Sequence, residues 1–179
     1  MNYVEKVREF MTVFNQPIVD KPIVMDDSRN KLRIALIFEE LKEYAKASGL
    51  SDYFAKLADE AHSEFIDDPD LAYVPIVDIT EQFDALLDLQ YVLSGAVLEN
   101  GFGDIFDEGF EEVHRSNMSK ACSSIQEAEE TCDKYAPISC TYDTRYLPII
   151  VYRHEDNKVL KSINYSPANL EGIINKTIR

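Results

Sequence analysis

The chain has 179 residues, 45% of them hydrophobic, and a formal charge of −15 from 33 acidic and 18 basic residues. That length suits one well-packed domain, while the negative charge repels nucleic-acid phosphates and anionic membranes, so neither is an expected partner. Three cysteines without a CxxC pair argue against a disulfide framework or a zinc knuckle. With no apolar run of signal-peptide or membrane-span length, the expectation is a cytoplasmic protein.

Val4, Val7, Phe10, Met11 and Phe14 recur at helical spacing and predict a first amphipathic helix, which Asn15-Gln16-Pro17 ends. Asp26, Asp27 or Ser28 stands where it caps a long second helix running to Ser48-Gly49. A third helix is expected to be capped by Ser51 or Asp52, with Tyr53, Phe54, Leu57, Ala58, Ala61 and Phe65 as its apolar face, and to stop before Asp67-Asp68-Pro69. Residues 71–78 read as extended or irregular. Further helices are expected over about 79–99, closed by Asn100-Gly101, over about 105–116, and over about 122–135, where Pro137 follows. Ile149-Ile150-Val151-Tyr152, a turn at Glu155-Asp156-Asn157, and Val159-Leu160 then read as a hairpin, and 167–178 as a last helix. The expected fold is mainly α, a helical bundle with a short C-terminal β-hairpin. It is expected as a single domain over 1–179, with a helical core to about 135 and the hairpin and tail over about 138–179.

Two of these helices carry acid where apolar residues dominate. Leu32, Leu36, Glu40, Glu43 and Ala47 follow at steps of three or four, so both glutamates extend the leucine stripe. Asp88 is the only charged position from Ala85 to Leu98, and Glu81, Asp84, Asp88, Tyr91 and Gly95 share its side of the helix. A buried carboxylate is costly unless paired, hydrogen-bonded or metal-bound. Facing acids on two packed helices call for a cation or protons to offset their repulsion, and oxygen ligands without Cys or His favour Mg²⁺ or Mn²⁺ over zinc.

At these residues the sequence resembles the MazG-type all-α nucleotide pyrophosphohydrolases, the superfamily that includes phosphoribosyl-ATP pyrophosphohydrolase. Glu39-Glu40-Leu41-Lys42-Glu43 matches the EExxE half of that family's pattern. The ExxD half departs, because aligning its last acid with Asp88 puts Ala85 where Glu is expected, with Asp84 one position earlier; a literal ExxD stands at Glu81 to Asp84. The run from Asp88 through Tyr91-Val92 to Gly95 is similar to the DLxYVxxG of the phage and bacterial MazG-like subgroup, which favours Asp84 and Asp88. Phe10 to Pro17, Glu112 to Lys120 (EVHRSNMSK), and Asn157-Lys158-Val159-Leu160-Lys161 with Tyr165 and Pro167 resemble three further motifs of that subgroup, in order. The stretch 121–145 is longer than the connection expected.

The resemblance implies an all-α nucleoside triphosphate pyrophosphohydrolase bundle that releases a nucleoside monophosphate and pyrophosphate. It implies Mg²⁺, with Mn²⁺ as a substitute, on Glu40, Glu43, Asp84 and Asp88, and Glu39 as the residue that orients or deprotonates the attacking water. It gives Lys120 and Lys161 to the phosphates, Asn117 and Gln16 to sugar or base, and Tyr165 either to base stacking or to packing of the tail. It also implies a homodimer or a dimer of dimers. Two alternatives stay open: the phosphoribosyl-ATP pyrophosphohydrolase of histidine biosynthesis, and a non-catalytic nucleotide- or metal-binding module, to which the missing Glu at position 85 points.

Overall fold

The computed structural model describes residues 2–67, with backbone alone over 62–67, and residues 78–177. The expectation for 71–78 therefore lies, except for Asp78, outside the described residues. Among the described residues are seven α-helices and two short strands: α1 Tyr3–Val13, α2 Asp27–Ala47, α3 Ser51–Asp67, α4 Ile79–Glu99, α5 Phe106–Met118, α6 Ile125–Lys134, β1 Cys140–Tyr142, β2 Val151–Arg153 and α7 Leu170–Thr177. The chain is mainly α, as its periodicity predicts. Cap chemistry sets the starts: Asn2 Oδ1 accepts from Glu5 N, Asp26 Oδ1 from Arg29 N, and Ser124 Oγ from Glu127 N. Asp26 is thus the cap among the three candidates for α2, whereas Ser51 is the first residue of α3 and not its cap. Gly101, at φ 75°, takes the left-handed turn that closes α4.

The described residues form two compact units, one made of 1–20 with 90–179 and the other of 21–89. In the first, α1 lies on α5 through Tyr3, whose ring meets Phe106 at 5.9 Å and Phe110 at 4.6 Å. Lys6 pairs with Glu111 at 3.2 Å, and His114 with Glu9 at 3.2 Å. Its core gathers Cys122, Ala128, Ile149, Val151 and Leu160, flanked by Cys132, Tyr135, Cys140 and Tyr142. Much of that core comes from 121–145, so the stretch that looked like an insertion supplies core residues.

The sheet adds a strand to the expected hairpin. β2 pairs antiparallel with β1, Cys140 opposite Arg153 and Tyr142 opposite Val151. The turn at 155–157 folds back as expected: Val159 bridges Tyr152, Arg153 N donates to Lys158 O and Leu160 N donates to Val151 O, both at 2.8 Å. Turn residues and a β-branched run advertise the local pairing, while the stronger partner is a three-residue strand too short to stand out in the sequence.

The second unit is all helical, α2 packing on α3 with Phe38 and Phe54 rings at 5.2 Å. None of its described residues is buried. Leu36 and Leu57 are 41% and 46% exposed, Tyr53 is 61% exposed, and Leu86, Leu87 and Leu89 on α4 are each at least half exposed. The stripes on α2, α3 and α4 exist as periodicity requires, but among the described residues they are not a core. No helix of the described residues is long and apolar enough to cross a membrane.

Ile149 is 1% exposed at the centre of the first unit's core, so Ile149→Ala should cost about 2–5 kcal/mol. Urea denaturation followed by near-UV circular dichroism measures it, and a loss below about 1 kcal/mol would contradict this placement of the core.

Candidate functional site

Helix α5 ends at a compact polar cluster in the first unit. Lys120, just past the helix C-terminus, donates from Nζ to Asn117 Oδ1 at 2.7 Å, and its ammonium lies 6.0 Å from the centroid of the Phe10 ring. Lys161 comes from the far end of the chain and sets its Nζ 4.5 Å from the centroid of the Tyr165 ring. Ser116, buried, donates from Oγ to Tyr165 Oη at 3.3 Å. The segment carrying Tyr165 is fastened to α5: Ser166 N donates to Ser119 Oγ at 3.0 Å, and Arg115 donates to Pro167 O at 3.0 Å. Glu112 holds that arginine with two hydrogen bonds, at 2.7 and 2.8 Å, and accepts from Asn169 N. Hydrogen bonding from Arg115, then from Asn169, lowers the Glu112 carboxyl to about 2.

The cluster sets two ammonium groups within electrostatic reach of each other. Burial, and then the charge of Lys161, push the Lys120 ammonium below its ordinary value. The Ser116 hydrogen bond, followed by the two lysines, pulls the Tyr165 phenol below 10.0 despite some burial. Two ammonium groups that repel each other beside hydroxyl and amide donors are relieved by a bound polyanion. Four of the five predicted substrate contacts, Asn117, Lys120, Lys161 and Tyr165, therefore gather in one place. Gln16 is half-buried and bonds back to its own loop, Nε2 donating to Phe14 O at 3.5 Å. Phe14 stacks on Phe10 at 4.2 Å, which leaves Gln16 near Lys120 by way of two rings and not by contact.

The predicted metal ligands behave differently. Glu39, Glu40 and Glu43 on α2, and Glu81, Asp84 and Asp88 on α4, are all exposed. Among the described residues no three Asp, Glu, His or Cys side chains come together as a metal site. The expectation that Asp88 is buried is corrected: its apolar neighbours are there, but among the described residues nothing covers them. An all-oxygen donor set suits Mg²⁺ or Mn²⁺, yet the described residues do not assemble it.

The model of the phosphoribosyl-ATP pyrophosphohydrolase family matches residues 7–117, more than half of the chain. The chain belongs to that family. The match spans Glu39 to Glu43 as well as Asp84 and Asp88, and it ends at Asn117, so Lys120, Lys161 and Tyr165 lie beyond it. An uncharacterized protein of Acanthamoeba polyphaga mimivirus is 33% identical over 110 residues, 55% of this chain; the chain spans 41% of that relative's length. A crystal structure from Exiguobacterium sp. 255-15, of a protein whose name proposes it to be an NTP pyrophosphohydrolase, superposes with a TM-score of 0.72 at 22% identity. The superposition covers 99% of this chain and 96% of the other, so the two share a fold.

The Lys120 and Tyr165 shifts act in one direction. As pH rises, Lys120 loses its charge before an ordinary lysine at 10.5 would, and Tyr165 gains a negative charge before 10.0. Pyrophosphate affinity, measured by calorimetry in EDTA, should therefore begin to fall below pH 10. Affinity that stays level up to the ordinary lysine value would contradict the coupling of these groups.

Proposed function

We propose that the chain is a Mg²⁺-dependent nucleotide pyrophosphohydrolase acting on a ribo- or deoxynucleoside triphosphate, with Mn²⁺ as a substitute metal. Water adds to the α-phosphorus, the bond to the β-phosphate bridge oxygen breaks, and that oxygen leaves with the electron pair as pyrophosphate; the products are a nucleoside monophosphate, pyrophosphate and the water's protons. The observation that carries this reading is the meeting of Lys120, Lys161, Asn117 and Tyr165 at the end of α5, a concentrated cationic site in a chain of charge −15. Membership of the family supports the bond cleaved. Lys120 and Lys161 take phosphate oxygens as point charges, Asn117 and Gln16 take sugar or base, and Tyr165 presents its ring beside them.

The metal falls to Glu40, Glu43, Asp84 and Asp88, where it supplies charge neutralisation for the triphosphate and a lowered pKa for bound water. Glu39 orients or deprotonates that water. Support for this assignment is indirect. These acids sit among the exposed apolar residues of α2 and α4, and exposed apolar surface of this extent marks an interaction face. A second copy of the chain, in a homodimer or a dimer of dimers, is the partner that would cover the face and bring carboxylates together. Hydrolysis of phosphoribosyl-ATP is the second reading, favoured by the family's description, and a cytoplasmic location completes the proposal.

Incubation with a panel of nucleoside triphosphates, with Mg²⁺ or EDTA, tests the reaction by resolving monophosphate plus pyrophosphate from diphosphate plus phosphate. The expected outcome is monophosphate and pyrophosphate in Mg²⁺ only. Turnover of phosphoribosyl-ATP alone would select the second reading, and no product from any nucleotide would sink both. Asp88→Asn should abolish Mg²⁺-dependent turnover while leaving the metal-free protein folded, since it removes one of several like charges; full turnover by this variant would remove Asp88 from the ligand set.

A further inference from the structure

The family match ends at Asn117, so whatever sets Lys161 beside Lys120 belongs to the remainder of this chain. The direct link is backbone: Ser162 N donates to Lys120 O at 3.2 Å. Ser162 is fully buried, and its Oγ accepts from Asn164 N at 2.9 Å and donates to Glu127 Oε1 on α6. The other carboxylate oxygen of Glu127 accepts from Ser123 N at 2.9 Å and from Ser123 Oγ at 2.6 Å. One turn on, buried Thr131 donates from Oγ1 to Glu127 O at 2.7 Å and accepts from Ile163 N at 3.0 Å. Helix α6 therefore grips 162–164 from below and leaves the neighbouring Lys161 exposed.

Glu127 is only 7% exposed. Burial pushes its carboxyl up, but hydrogen bonds from Ser123, Ser162 and Asn164 outweigh that and hold it below the ordinary value. A carboxylate fits this position because it only accepts. An amide would present an NH₂ group where one pair of hydrogen bonds needs an acceptor, and an apolar residue would leave the buried Ser162 hydroxyl without its acceptor.

We propose that Glu127 is a positioning residue for polyphosphate binding, which through Ser162 fixes the 161–165 segment against the Lys120 carbonyl and so sets Lys161 and Tyr165 beside Lys120. The role rests on reading that cluster as the phosphate site. The longer 121–145 stretch then has a purpose: it builds the floor of a site whose upper residues come from α5 and from the tail.

The test measures binding of inorganic triphosphate in EDTA by calorimetry, for the wild-type chain and for Glu127→Gln, Lys161→Ala and the double variant. Glu127→Gln should weaken binding at least tenfold, and in the Lys161→Ala background the same change should have little further effect, because Glu127 acts through that lysine. A second readout separates placement from general loosening. The ultraviolet titration of Tyr165, isolated by difference from Tyr165→Phe, should move up toward 10.0 in Glu127→Gln as the lysines withdraw. Loss of Glu127's own negative charge would by itself move that phenol down. Should Glu127→Gln fail to fold, Ser162→Ala keeps the carboxylate, cuts the link and carries the same expectations. Binding within twofold of wild type in folded Glu127→Gln, effects of Glu127→Gln and Lys161→Ala that multiply as independent, or a phenol that moves down overturns the positioning role alone. A wild-type chain that binds no triphosphate overturns the phosphate reading and the role together.

Discussion

A helical unit with no buried residue among those described is the constraint on which the rest depends. Helices draw most of their stability from packing one face, and α2 and the first half of α4 carry complete apolar stripes whose leucines remain about half exposed. Phe38 against Phe54 ties α2 to α3, but it leaves the other faces of these helices open. Such surfaces are what the proposed second copy would cover, and the acids of the proposed metal site sit within them. In the proposed dimer, apolar covering and metal binding become one event, since a surface that buried Leu36 and Leu89 would also remove water from Glu40 and Asp88.

The first unit solves its problem internally and mostly by polar means. Its main core cluster is small, five residues around Val151, and beside it runs a polar chain from exposed Ser123 through buried Glu127 and Ser162 to the Lys120 carbonyl. Fully satisfied networks of this kind rigidify and define a single arrangement. That rigidity is useful where two ammonium groups must stay close against their own repulsion. The two units thus divide the proposed labour, one holding phosphate with lysines and the other supplying carboxylates for metal.

Local features were legible in the sequence. Helical spacing and cap residues place α1, α2, α4 and α7 to within a few residues, because these signals act over three or four positions. Asp88 shows where such reading stops. Its apolar neighbours imply a covering surface, but a sequence does not say whether that surface belongs to the same chain or to another. The pairing of β1 with β2 was hidden for a related reason: strands of three residues leave little pattern, and the obvious turn at 155–157 points to the other partner, Val159-Leu160, which does fold back on β2.

The proximity of Lys120 and Lys161 follows from no spacing rule and was expected only from resemblance. Glu127 was missed altogether. It falls three residues after Ser124, where Ser-x-x-Glu reads as an ordinary capping box, and Ser124 Oγ does accept from Glu127 N at 3.1 Å. Its carboxylate, however, turns to Ser123 and Ser162. The usable signal was the buried face shared by Glu127, Ala128 and Thr131, on which one acid is out of place.

The central claim is that the carboxylates of α2 and α4 bind metal only when a second chain covers them. Electron paramagnetic resonance of Mn²⁺ over a dilution series, with the oligomeric state followed in parallel by analytical ultracentrifugation, tests it most directly. The account predicts that bound Mn²⁺ rises with the dimer fraction and is absent from the monomer. Stoichiometric Mn²⁺ binding by a monomer at every concentration would contradict it.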